Sequence, residues 1–355
     1  MGDRRIRRMK TMIPVLTAVL LALTTAASGA EGPDRLYPVA RGGKWGYIDR
    51  SGRVVIEPRY AAAHSFSAGL APVRIAQGRD AKWGYIDRTG KVVVEPKYDI
   101  AGVFREGIAM VKSGDLMGYI DRTGKVAVPL KYAGVYPFSD GLGMVVTTDY
   151  KFGFVDRTGR EVVPPAYESA YSFSEGVAVV VRDGKGVYID RSGKVAIDTA
   201  RFDLVMPFFD GRAIAMISDR WGFIDRSGKV VVPTKWDGAF PFSGGLAAVN
   251  KGGRVLRVPS PRIEGGKWGF VDREGKVVIE PRFDFPGKFT EGLAPVNVGG
   301  LGSGKWGYVD NTGKMVIEPR FDEAAEFLDG LARVKTGGKV GYIDRKGSYV
   351  WAPGD

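Results

Sequence analysis

The stretch at 44–58 opens Lys44-Trp45-Gly46-Tyr47-Ile48-Asp49, closes Glu57-Pro58, and returns to the end of the chain. The Trp45 slot is refilled by Trp83, Met117, Phe152, Gly186, Trp221, Trp268, Trp306 and Val340, at steps of 38, 34, 35, 34, 35, 47, 38 and 34 residues. A period of this length restricts the fold more than composition does, because each unit mainly touches its neighbours and chain length merely counts units. The 355 residues would otherwise suggest two or three separate domains.

The most regular part of each unit is a turn. Asp49-Arg50-Ser51-Gly52 recurs at 87–90, 121–124, 156–159, 190–193, 225–228, 272–275, 310–313 and 344–347. Asp at the first position can accept a backbone N–H inside a type I turn, and Gly at the fourth supplies the left-handed residue of a three-residue hairpin. The flanks are rich in Val, Ile, Tyr and Trp, as strands prefer. Alternation places Trp45 and Tyr47 on one face and Gly46 and Ile48 on the other, so both faces are apolar and both must be covered. A third strand precedes each of these pairs, for example at 36–40 and 70–75. Gly46 marks a bare spot where another backbone comes close.

Between units runs a linker with two aromatics, such as Tyr60 and Phe66 or Tyr98 and Phe104, closed by a Gly such as Gly69 or Gly107. These rings are expected to plug the space between units, on a single helical turn. The array starts with a first strand near 36 and ends with a third strand near 351, so no unit is split between the termini. The expected fold is therefore all-β: a tandem array of nine three-stranded β-meander repeats of about 35 residues, wound as an open superhelical solenoid. A closed propeller-like ring is the alternative, and nine units would exceed the usual four to eight blades.

The Trp-Gly pairs, the Asp-Arg-x-Gly turns, the Glu-Pro endings and segments such as Phe289-Thr290-Glu291-Gly292-Leu293-Ala294 together resemble the bacterial WG-repeat family, also called KWG repeats. The resemblance covers about residues 36–353. It implies an all-β repeat protein, commonly exported or surface-associated, with no general activity to carry over. The units at Met117, Phe152 and Gly186 depart from the signature.

Residues 1–30 read as a secretory signal. Arg4, Arg5, Arg7, Arg8 and Lys10 precede a short apolar run at 12–23, and small residues lead to cleavage after Ala30. The array then occupies 31–355, with a periplasmic or secreted location and no later transmembrane segment. Cysteine is absent, so stability must come from the apolar core without disulfides. The formal charge is +12; the signal holds five Lys or Arg and one Asp, which leaves about +8. Such a surface suits solubility first and an anionic envelope polymer second; nucleic acid is disfavoured.

No chemistry stands out. The only His is His64, so a His-based nucleophile has one candidate base, and no acidic pair lies outside the repeat slots. A lone turn Asp beside Arg lacks the alternating oxygens of a calcium loop. No cofactor, metal or catalytic residue is expected. Two interaction candidates remain. The first is the long insertion at 250–266, with Lys251, Arg254, Arg257 and Arg262. The second is an aromatic array of Trp45, Trp83, Trp268 and Trp306, which would suit sugars or quaternary amines if exposed. The competing reading of the array is core filling, since Met117, Phe152 and Val340 keep apolar volume and lose ring chemistry. The expected function is a non-enzymatic exported scaffold for a protein or envelope partner; the alternative is a carbohydrate- or cell-wall-binding module.

Overall fold

The computed structural model describes residues 32–78, 80–256, 262–352 and 354, so the proposed signal lies outside the described residues. Blade 1 is the three-stranded sheet β1 (Tyr37–Arg41), β2 (Lys44–Ile48) and β3 (Val54–Tyr60). Blade 2 adds one strand at its edge: β4 (Ala62–Ala63), β5 (Leu70–Arg74), β6 (Trp83–Asp87) and β7 (Val92–Tyr98), antiparallel in that order. Seven more four-stranded blades follow, blade 3 at 100–132, blade 4 at 134–167, blade 5 at 169–197, blade 6 at 204–236, blade 7 at 238–283, blade 8 at 285–321 and blade 9 at 323–351. Except in blade 6, where the first strand is longer, the segment expected as a helical turn is instead this two-residue strand and the turn after it.

Each Asp-x-x-Gly turn forms as its residues dictate. Gly52 N–H donates to the Asp49 carbonyl at 3.0 Å, with Gly52 at φ 87°. The Asp49 carboxylate accepts the Ser51 and Arg53 amides at 2.9 and 3.1 Å. Gly46 has an equally definite reason. A Cβ there would meet the β3 backbone, lying 2.6 Å from Pro58 N. The strand bulges at this point, since Trp45 pairs with Tyr60 while Tyr47 pairs with Ile56. Blade 5 makes the same point by exception. Val187 fills the Gly slot, and there the third repeat strand is cut to Val195–Ile197, without the Pro-linked extension.

Both faces of every sheet are covered by neighbouring sheets. Tyr47 packs in one cluster with Phe66, Ala71, Val73 and Ile86 of blade 2, while Ile48, on the opposite face, packs with Leu331 and Tyr342 of blade 9. That second cluster overturns the open solenoid: blades 9 and 1 share a core, and the molecule is a closed nine-bladed β-propeller ring. A ring of three-stranded units is corrected in the same stroke to eight four-stranded blades and one three-stranded blade.

The closure is made by substitution. At eight interfaces an aromatic on one blade packs on the linker Phe of the next, as in Tyr47–Phe66 and Tyr308–Phe327, with ring centroids 4.7 to 5.2 Å apart. Blade 1 has no preceding linker. Tyr37 stands at the strand position that is Ala or Gly in the other blades, and its ring meets Tyr342 edge-on at 5.4 Å. Its hydroxyl donates to the Leu328 and Asp329 carbonyls at 3.2 and 3.1 Å. Tyr342 in turn donates to Pro38 O at 3.0 Å. Arg35, 3% exposed, forms an ion pair with Asp329 at 2.7 Å.

Candidate interaction face

Antiparallel pairing sends the Asp-x-x-Gly turns and the linker Gly residues to one rim and the hairpins that precede each Trp, such as the one between β5 and β6, to the other, because Leu70 pairs with Asp87 and Arg74 with Trp83. The two rims differ in what their charges do.

On the turn rim the Arg of one blade reaches the linker acid of the blade before it. Arg157 meets Glu106 at 3.2 Å, and Arg226 meets Glu175 at 3.4 Å. The same acids accept a backbone N–H of the next blade, Gly141 onto Glu106 at 2.9 Å and Gly211 onto Glu175 at 3.0 Å. Asp140 and Asp210 cap Gly176 and Gly245 at 2.7 and 3.0 Å. Arg157, Arg226 and Arg273 are therefore spent on stitching blades together. Asp49, Asp87, Asp121, Asp156, Asp190, Asp225 and Asp310, the turn carboxyls with a Ser or Thr two residues on, are held below the ordinary carboxylate range, with that hydroxyl as the largest cause; Asp156, bonded by Thr158, is brought down to about 2.

The hairpin rim is pinned by a second set of acids. Asp99 takes Lys82 and the Gly114 amide, Asp237 takes Arg220 and the Gly252 amide, Asp284 takes Lys267 and the Gly299 amide, and Asp322 takes Lys305 and the Gly337 amide. So Lys82, Arg220, Lys267 and Lys305, each beside its Trp, are paired too.

The insertion at 250–266, expected as a loop, is a continuation of the sheet. Strands Ala247–Leu256 and Arg262–Val271 pair through Lys251↔Lys267, Gly253↔Gly265, Arg254↔Glu264 and Val255↔Ile263. Asn250, fully buried, fixes the root of this arm: its Oδ1 accepts Gly253 N–H at 2.9 Å and its Nδ2 donates to Gly265 O at 3.2 Å. Lys251 and Arg254 are exposed, and Arg254 lies 2.8 Å from Glu264. Arg262 opens the second strand, and Arg257 lies outside the described residues. The cation cluster is thus in part a cross-strand pair.

The four tryptophans do not form one exposed array. Trp268 is 2% exposed and lies under Phe240, stacked at 4.7 Å. Trp45, Trp83 and Trp306 are half-buried. Trp83 carries His64 stacked at 4.7 Å, with the imidazole pK lowered by burial, so the lone His is a ring cover here. Beside Trp306 opens a cavity of about 180 Å³, lined among others by Phe240, Phe285, Gly287 and Ala324. Nothing in the pattern Lys-Trp-Gly distinguished Trp306 from Trp268; the signal lay in the linkers, where Phe240 becomes Gly287 one blade later. Among the described residues no group of three or more His, Asp or Glu lies together as metal ligands would, and no helix is long and apolar enough to cross a membrane.

A ring of nine hairpin-built blades, stitched by charges on one rim and bearing variable hairpins on the other, defines a β-propeller repeat protein. The family model described as WG containing repeat matches residues 45–77, 83–116, 117–150, 152–185, 188–221, 221–254, 268–301 and 306–339. The chain belongs to the WG-repeat family. No curated protein matches it. Among solved structures it is similar to a crystal structure titled as the eukaryotic initiation factor, at 11% identity and a TM-score of 0.61, over 89% of this chain and 94% of that one. BamB from Moraxella catarrhalis aligns at 12% identity with a TM-score of 0.42, over 86% and 95% of the two chains. The first likeness establishes fold alone.

Proposed function

We propose that the protein is an exported, non-enzymatic scaffold that holds a protein partner on its hairpin rim, with the blade 7 arm as the principal contact. The arm carries this reading. It projects beyond the sheet limits shared by the other blades, its root is locked by a buried Asn, and its described surface presents Lys251, Arg254 and Glu264 to solvent. A rigid, charged projection on a ring is suited to recognition. Anionic polymers and glycans rank lower, because the rim cations are paired with Asp residues and Trp268 is covered by Phe240.

The test replaces 251–266 by a short turn of the blade 9 kind and compares the two proteins for crosslinked envelope partners. Loss of a defined partner from the shortened protein supports the reading. Identical partner sets overturn it. N-terminal sequencing of the exported form examines the export part: a start at Glu31 is expected, and a retained Met1 counts against it.

A further inference from the structure

The repeats provide an internal comparison for the cavity beside Trp306. In blade 7 the residue after the first strand is Phe240, whose N–H donates to Ala248 O and whose ring stacks on Trp268 at 4.7 Å with planes 18° apart. In blade 2 the same position is His64, whose N–H donates to Pro72 O and whose ring stacks on Trp83 at 4.7 Å and 19°. In blade 8 it is Gly287, with the matching bond to Pro295 O at 2.7 Å. Trp306 keeps the platform and loses the cover: among the described residues its ring neighbour is Phe285, edge-on at 6.1 Å. Where the backbone now runs, a Cβ on Gly287 would meet the Pro295 ring, whereas blade 2 seats His64 opposite the equivalent Pro72. The space stays open, and blade 9 keeps it open with the small Ala324 at its wall.

Blades 7 and 8 also differ at the residue that pairs with this Trp. Asn297 is 1% exposed, and neither its Nδ2 nor its Oδ1 has a partner in the structure. It pairs in register with Phe285 on one side and Trp306 on the other, so all three stand on one face of the sheet. The equivalent Asn250 in blade 7 is satisfied by Gly253 and Gly265. Asn297 does not line the cavity, so this difference concerns the packing behind Trp306 and the slot itself rests on the missing cover.

We infer that this slot accepts an aromatic side chain of the partner polypeptide, stacked on Trp306 as Phe240 stacks on Trp268. The slot lies between Trp306 and the linkers of blades 7, 8 and 9, and the inference rests on the reading of the ring as a scaffold for a protein partner. Lys288 and Glu326 are the charged residues of its lining.

The probe is N-acetyltyrosine amide, followed by saturation-transfer NMR on the whole chain, with N-acetylleucine amide and cellotetraose as competitors. Transfer to the phenol ring protons is expected, displaced by neither competitor. Trp306→Ala weakens it roughly 2- to 10-fold, the fold-change of one aromatic pair. Ala324→Leu, which narrows the slot and leaves the platform, does the same. Trp83→Ala, whose platform is already covered by His64, leaves it unchanged. The inference is overturned by equal loss in Trp83→Ala, by wild-type binding in both slot variants, by no transfer at all, or by cellotetraose outcompeting the amide. That last result would make the slot a sugar site. Partner capture that depends on the arm while the amide fails to bind would leave the scaffold reading standing and remove the slot.

Discussion

Replacing Tyr37 by Ala tests the ring closure directly. The substitution installs a residue that this strand position already carries in blades 2, 3, 5, 6, 7, 8 and 9, as Ala71, Ala109, Ala178, Ala213, Ala247, Ala294 and Ala332. Backbone strain is therefore not at issue. What is lost is a ring 4% exposed, its edge-on contact with Tyr342, and two hydroxyl donations to blade 9. Emptying a buried aromatic site costs about 3–5 kcal/mol, and the hydrogen bonds add about 1 kcal/mol. Tyr37→Phe removes only the latter and should cost about 1 kcal/mol. Because no covalent link spans this seam, the loss should appear first as local opening. Hydrogen exchange at the strands 37–41 and 339–343 should quicken before the interior blades respond, and urea unfolding should shift by the full amount. A Tyr37→Ala protein whose unfolding free energy stays within about 0.5 kcal/mol of wild type, the range of an ordinary surface change, would refute closure through this residue.

Other expectations follow from single features. Gly269→Ala should destabilise by about 1–3 kcal/mol by overpacking against the Ile279–Pro281 backbone, whereas Val187→Gly, in the blade without the bulge, should not create that clash; thermal melts of both separate the cases. Asn297→Leu should raise the unfolding free energy by about 1–3 kcal/mol, because it removes buried polar atoms without partners, and a loss of stability would show that the amide is satisfied. Asn250→Ala should free the arm and speed tryptic cleavage after Arg254, read by mass spectrometry. The depressed turn carboxyls contribute stability above their unfolded pK of about 3.9 that is lost as pH falls through their folded values, about 2 for Asp156. Thr158→Ala should raise the Asp156 pK in an NMR titration and start the acid loss at higher pH; an unmoved pK would remove Thr158 as the cause.

Much of the blade could be read from residues whose reasons are local. Asp49 and Gly52 specify their turn within four residues, and Gly46 announces a close backbone approach that the Pro58 bulge supplies. Two-sided hydrophobicity correctly required sheets stacked on both faces. Closure was not legible, because whole units at both ends match a solenoid and a ring equally well. The deciding residues, Arg35 and Tyr37, act across 291 or more positions of sequence and lie in the one blade without a preceding linker. The insertion was misread as a loop because its Gly and Pro content hid the cross-strand pairs of Gly253 and Arg254. The slot at Trp306 is defined by a missing ring at Gly287, and an absence becomes visible only once the neighbouring blades show what fills the place.

The seam has a consequence for how such chains vary. Many propellers trade a strand between their ends, so adding or removing a unit upsets the joint. Here each genetic repeat supplies most of one blade in phase, and the joint sets Arg35 and Tyr37, found only in the first unit, against Tyr342, whose slot is aromatic in every repeat. Unequal recombination within the gene could insert or delete an interior copy and leave both halves of the joint intact. Copy number is then limited by how far the circumference can stretch or tighten, one blade angle at a time.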